Sequence, residues 1–251
     1  MIALDLDVGR DQARQRRSRA SEQDVLARAF EEVVNDLEGA GTIEAGDGLG
    51  LRAADPEAFK IAGVVAFSGA YGIIGEGMKR GVELAIEHRD GKVLGKPIEV
   101  VSADHQNKPE IANTKAQEMY DRQKADIILD VPTSSAALAV ANQAKTKKKL
   151  HFNIGAATTE LTGAQCNKYT FHWAYDTYML ANGTGKAVTE NGGKSWQIIY
   201  PDYEFGQDMT ESFTNAVEAA GGEVQGKIAT PFPNDNFATF LTKAGSTNPD
   251  V

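Results

Sequence analysis

The chain has 251 residues, a formal charge of −9, 41% hydrophobic and 24% charged residues. That length accommodates one large domain or two of ordinary size, and the acidic balance argues against a duplex-DNA partner, since phosphate binding rests on clustered positive charge. The single cysteine, Cys166, excludes an internal disulfide, the four histidines include no pair at metal-ligand spacing, and no apolar run nears the roughly 18 residues that cross a bilayer.

Residues 1–59 differ in composition from the rest. They hold seven arginines, no lysine and thirteen acidic residues, whereas residues 60–251 hold sixteen lysines and three arginines. The switch marks a boundary at Phe59/Lys60. Within this leader, Ser21 to Leu37 has a cap residue and a rough 3.6-residue apolar period, and five glycines between Gly39 and Gly50 then dissolve regular structure. Three readings stand side by side: a small helical addition, a disordered tail, or an over-extended or out-of-frame start. It is no secretory signal, because Arg14, Arg16, Arg17 and Arg19 occupy the place of an apolar core. Nor does its acidic balance suit a DNA-binding headpiece.

From Lys60 onward, short apolar runs alternate with helix-period segments. Strands are expected at Lys60–Phe67, Pro97–Ser102, Ala125–Asp130, Leu150–Gly155, Lys168–Trp173, Ser195–Tyr200 and Gly222–Ala229. Between them the period predicts helices from Ile74 to His88, Pro109 to Arg122, Ser134 to Lys145, Asp176 to Glu190 and along Met209 to Ala220; Phe237 begins one more. Such alternation predicts an α/β fold with a parallel, doubly wound sheet, whose ligands bind beyond the strands' carboxyl ends. The chain stops at Asn248–Val251, where the next strand should begin, and the C-terminus reads as truncated.

The loops after the strands therefore hold the candidate site. Val131-Pro132-Thr133-Ser134-Ser135 opens a helix. Its hydroxyls and amides either cap that helix or converge on an anion, which aligned N–H groups attract. Gly155-Ala156-Ala157-Thr158-Thr159 repeats the pattern with residues small enough for close backbone approach. Tyr71 rims the first loop. Phe171 to Tyr178 gathers aromatics around Asp176, a pocket for an apolar group or a core strand running into a helix cap. Tyr200 to Gly206 places more aromatics at the same end. Gly72, Gly75 and Gly77 do not match a dinucleotide fingerprint, and no nucleophile elbow or P-loop is present. Asp104 and His105 are adjacent at a strand end and read as polar loop residues or ligand contacts rather than acid–base machinery. The run Lys145 to Lys149 complements a helix C-terminus.

Residues 60–251 resemble the type I periplasmic solute-binding proteins of the branched-chain (hydrophobic) amino-acid ABC-importer family, on the stretches KIAGVVAFSGAYGIIGEGMKRGVELAIE, DVPTSSAALAVANQA, NIGAATTELTG, FHWAYDTYMLANGTG and YPDYEFGQDM. The resemblance implies two Rossmann-like, doubly wound lobes closing on a ligand, the first spanning 60–175 and the second, incomplete, 176–251. Carried over by position, Thr133, Ser134, Ala156, Ala157 and Thr158 would hold a ligand carboxylate, with Tyr71, Tyr175, Asp176 and Phe205 around its side chain. The ligand implied is a hydrophobic amino acid or a small aromatic carboxylate. The group that pairs with an amino acid's ammonium is expected from a later part of the second lobe. A membrane ABC permease is the implied partner and the periplasm the implied location, with no catalysis, cofactor, metal or nucleic acid. The alternative is a cytoplasmic ligand-sensing regulatory module built on the same fold.

Overall fold

The computed structural model describes residues 58–251; the leader helix expected over 21–37 lies outside them. Strand β1 (Phe59–Val65) leads through a short 3-10 turn into helix α1 (Gly72–Glu87). A two-residue β2 (Lys92–Val93) and β3 (Lys96–Asp104) follow, then α2 (Pro109–Asp121), with proline at its start where the missing N–H costs nothing. Next come β4 (Ile127–Leu129), α3 (Ser134–Lys147), β5 (Leu150–Asn153) and β6 (Thr170–His172). These six strands form one sheet in the order β2-β3-β1-β4-β5-β6, parallel throughout except for β2 against β3.

Alternation along the strands distributes the core between the two faces. Ala62, Val64 and Ile128 point to the side covered by α2 and α3, where Ala112, Ala116, Met119, Val140, Ala141 and Ala144 meet them. Ile61, Ile127 and Leu129 point to the other side, where Ala85 and Val82 of α1 lie. The small residues let α2 and α3 approach the sheet closely. Tyr120 threads this packing and donates its hydroxyl to the carbonyl of Leu150 at 2.9 Å, both ends buried. Replacing it with phenylalanine deprives that buried carbonyl of this donor, and we expect a loss of about 1–2 kcal/mol in urea-denaturation stability.

After β6 the chain enters a second unit: α4 (Thr177–Glu190), β7 (Ser195–Pro201), α5 (Glu204–Ala219), β8 (Glu223–Thr230) and α6 (Ala238–Gly245). Strands β7 and β8 pair in parallel. Trp196 of β7 packs its ring 6.1 Å from Phe213 of α5. Along the other edge of β7, Val251 donates its N–H to Ser195 and accepts that of Gln197.

Two details depart from the sequence reading. The hairpin β2–β3 was not expected; left-handed Leu94 and Gly95 turn it, and Val93 is buried beneath. Helix α5 begins five residues earlier than Met209, at Glu204, which places a further helical turn at the end of β7. The lysine run closes α3 as expected of a helix C-terminus: Lys148 adopts the left-handed conformation, and Lys147 bonds Asp121 at 2.6 Å.

Candidate functional site

In the first sheet the chain moves from β1 to β3 on one side and then returns to β4 on the other. The carboxyl ends of β1 and β4 therefore flank the switch point, and both carry candidate residues. At the end of β4, Thr133 occupies the N-cap position of α3 but makes no cap bond; its hydroxyl donates instead to Asn107 Oδ1 at 3.0 Å, joining the loops after β3 and β4. Ser134, the first residue of α3, is 1% exposed, and its Oγ has no hydrogen-bond partner among the described residues. The first turn of a helix also leaves backbone N–H groups without intrahelical partners. The unpartnered, buried hydroxyl of Ser134 thus sits in that first turn, among its amides.

The loop after β5 lies alongside. Asn153 donates its side-chain amide to the carbonyl of Ala156 at 2.8 Å, fixing the turn. Ala156, Ala157 and Thr158 are all buried. Ala157 and Ala156 present only backbone, and the carbonyl of Ala157 accepts the N–H of Thr177 at the start of α4. Thr158 is committed elsewhere: its hydroxyl donates to Glu204 Oε1 at 3.0 Å and accepts the N–H of Glu160 at 3.3 Å. Of the three hydroxyl residues expected to face an anion, Thr133, Ser134 and Thr158, Ser134 is the one left without a partner among the described residues.

Aromatic rings from both units close the rim. Tyr71, after β1, and Tyr203, after β7, share a hydroxyl hydrogen bond of 2.6 Å. Phe232, after β8, stacks on Tyr203 with centroids 4.7 Å apart and lies 5.7 Å from Tyr71. Burial and the bond to Tyr71 raise the pKa of Tyr203, so the phenol stays protonated. Phe205 lies 6.1 Å from Tyr203, on the first turn of α5. Tyr175 donates to the carbonyl of Gly155 at a long 3.5 Å and is 42% exposed. Asp176 Oδ1 accepts the N–H of Met179 at 2.7 Å, which makes it the cap of α4.

Three polar contacts join the units beside this rim. Besides Glu204 on Thr158, Asp208 accepts the N–H of Thr159 at 2.9 Å and its hydroxyl at 2.7 Å, and also the hydroxyl of Thr177. Tyr203, Glu204, Asp208 and Phe232 were not among the residues singled out from sequence. Glu204 and Asp208 stand four residues apart, one helical turn, a signal readable only once α5 starts at Glu204.

Asp104 and His105 are occupied structurally. Asp104 Oδ1 accepts the N–H groups of Phe67 and Gln106. His105 is fully buried, its Nδ1 accepts the N–H of Asn107, and burial pushes its pKa down to about 4 against the pull of Asp104. A hollow of about 560 Å³ lies apart from the rim, between β3 and α2, lined by Asp104, Lys115 and Glu118 among others. No group of three or more His, Cys, Asp or Glu side chains that could hold a metal ion occurs among the described residues.

A sequence model of the family described as periplasmic binding protein matches residues 58–251. A periplasmic binding protein from Burkholderia mallei is 42% identical, with a TM-score of 0.75 over 78% of this chain and 52% of its own. An ABC-transporter solute-binding protein from R. palustris, solved in complex with benzoate, is 26% identical, with a TM-score of 0.73 over 76% of this chain and 53% of its own. The Leu/Ile/Val-binding protein homolog 6 of Brucella abortus is 24% identical over 78% of this chain and 50% of that protein. The chain thus spans about half the length of each.

Proposed function

The chain belongs to the periplasmic binding protein family, and from that premise we propose that it is the substrate-binding receptor of an ABC importer, taking a small organic carboxylate between its two units. It acts in the periplasm, delivers its ligand to a membrane permease and performs no chemistry on it. The observation that carries this reading is Ser134: a buried hydroxyl without a partner, on the first turn of α3 at the switch point of a parallel sheet. Buried polar atoms normally find partners, so an orphan beside free helix amides marks a place for an anion.

Thr133, Ser134 and the backbone of Ala156 and Ala157 receive the carboxylate, while Tyr71, Tyr175, Phe205 and the additional Tyr203 and Phe232 surround the apolar part. Thr158 and Asp176 support this arrangement, the first through Glu204 and the second by capping α4. Aromatic faces at the rim favour a benzoate-like acid, in line with the benzoate-bound relative; leucine, isoleucine and valine are the second class, in line with the Brucella homologue's name.

A thermal-shift screen of benzoate, hydroxycinnamates, leucine, isoleucine and valine tests this. A ligand at about 100 times its dissociation constant stabilises by roughly 2.7 kcal/mol, which raises the melting temperature of a chain this size by roughly 5–10 °C. Ser134→Ala, which removes the hydroxyl with the least change in volume at this buried position, should abolish that rise. If no compound in either class raises the melting temperature of the wild-type chain, the proposed ligand class is wrong.

A further inference from the structure

Asp130 follows β4 directly and adopts a left-handed backbone conformation, φ 58°, that few residue types other than glycine, asparagine and aspartate accept. It is 2% exposed. Its own N–H donates to the carbonyl of Phe152, extending the β4–β5 ladder by one bond. Its Oδ1 then accepts two backbone N–H groups from the neighbouring loop, Ile154 at 3.2 Å and Gly155 at 2.7 Å. The two loops are pressed together at that point. A Cβ on Gly155 would stand 2.8 Å from Met78 Cε, 3.1 Å from Asp130 Oδ1 and 3.2 Å from Pro132 Cα.

Oδ2 of Asp130 is buried and has no hydrogen-bond partner among the described residues. Burial raises the carboxyl's pKa to about 6, in spite of the backbone N–H groups that pull it down. A buried carboxylate with one idle oxygen is a poor way to stabilise a core; an apolar side chain would serve better. Its two bonds, however, go to the residues just ahead of Ala156 and Ala157, while its main chain leads into Thr133 and Ser134.

We infer that Asp130 is a positioning residue for the carboxylate site: its Oδ1 fastens the loop after β5 to the loop after β4, so that the amides around Ala156 face the same point as Ser134. The inference rests on the anion-receptor reading given above. It assigns Asp130 no contact with the ligand.

The test compares Asp130→Gly with Asp130→Asn. Glycine accepts the left-handed backbone and removes both bonds; asparagine accepts the same backbone and keeps an oxygen acceptor of the same shape. Hydrogen exchange at the Ile154 and Gly155 amides is read alongside benzoate affinity. In Asp130→Gly the two amides should exchange about 100-fold faster and benzoate should bind about tenfold or more weakly; in Asp130→Asn both should return to within about threefold of wild type. Unchanged protection of the Gly155 amide in Asp130→Gly overturns the inference, as does unchanged affinity or an Asp130→Asn variant as impaired as the glycine one. Should the wild-type chain bind none of the screened acids, the receptor reading falls and the exchange measurement alone decides whether Asp130 holds the loop.

Discussion

A Gly206→Ala variant is expected to lose about 3 kcal/mol or more of stability, although the same change inside a helix ordinarily adds up to about 1 kcal/mol. Gly206 sits in the first turn of α5, where a Cβ would stand 1.9 Å from the carbonyl oxygen of Pro201 and 2.9 Å from its carbon. Both are backbone atoms, so no rotamer change relieves the clash; helix and strand must separate. Gly75 repeats this arrangement in the first unit, its Cβ falling 2.1 Å from the carbonyl oxygen of Ala66, and Gly75→Ala should cost a similar amount. Gly77 supplies the control. Nothing lies within 4 Å of a Cβ built there, so Gly77→Ala should stabilise by about 0.5–1 kcal/mol. Denaturant midpoints of the three variants decide the matter, and a Gly206→Ala midpoint equal to wild type would refute the close-approach account. The consequence reaches the site. Moving α5 away from Pro201 carries Glu204 and Asp208 off Thr158 and Thr159, so any Gly206→Ala protein that still folds should bind its ligand more weakly.

These glycines also show where reading the sequence succeeds and where it stops. The alternation of apolar runs with helix-period segments displayed the parallel sheet because its central strands β1, β4 and β5 are buried on both faces, and local signals such as Pro109 at the start of α2 and Asp176 ahead of α4 marked helix starts correctly. Thr133 and Ser134 were legible as site candidates for the same local reason: small hydroxyl residues opening a helix after a buried strand. The side-chain partnerships were not. Thr158 looked like a donor to an anion, yet its hydroxyl meets Glu204, 46 residues later, and Thr159 meets Asp208 across 49. No periodicity records such pairings. Tyr203 was passed over as one aromatic among several in its loop; what distinguishes it is the bond to Tyr71, 132 residues away. Asp130 was read as the last residue of a strand, which hid its turned backbone and its hold on Gly155.

Acidification from about pH 6.5 to 4 is expected to remove roughly 3–4 kcal/mol of stability, and His151 carries much of it. His151 lies on β5 between β4 and β6, is wholly buried, and neither ring nitrogen has a partner among the described residues. Burial, with a smaller contribution from His172, pushes its pKa down to about 3. The unfolded chain takes up a proton at about 6.5 while the folded chain refuses it, so stability is full above that value and falls as the pH drops. Each such histidine costs about 1.4 kcal/mol per pH unit. His105 behaves in the same way until its own pKa of about 4. Asp130 works in the opposite sense: its folded pKa of about 6 lies above the unfolded value of 3.8, so it contributes stability at acid pH that is lost as pH rises between those values. Over the interval the histidines together withdraw about 6–7 kcal/mol and Asp130 returns about 3. Urea midpoints at pH 7 and 4 measure the difference, and a His151→Leu variant should show a shallower dependence. A wild-type midpoint that holds steady, or a His151→Leu slope as steep as wild type, would rule out this origin. The strain of protonation falls close to the proposed carboxylate site. His151 is two residues from Asn153, whose amide holds the carbonyl of Ala156, so charging the ring should loosen the strand that sets the β5 loop.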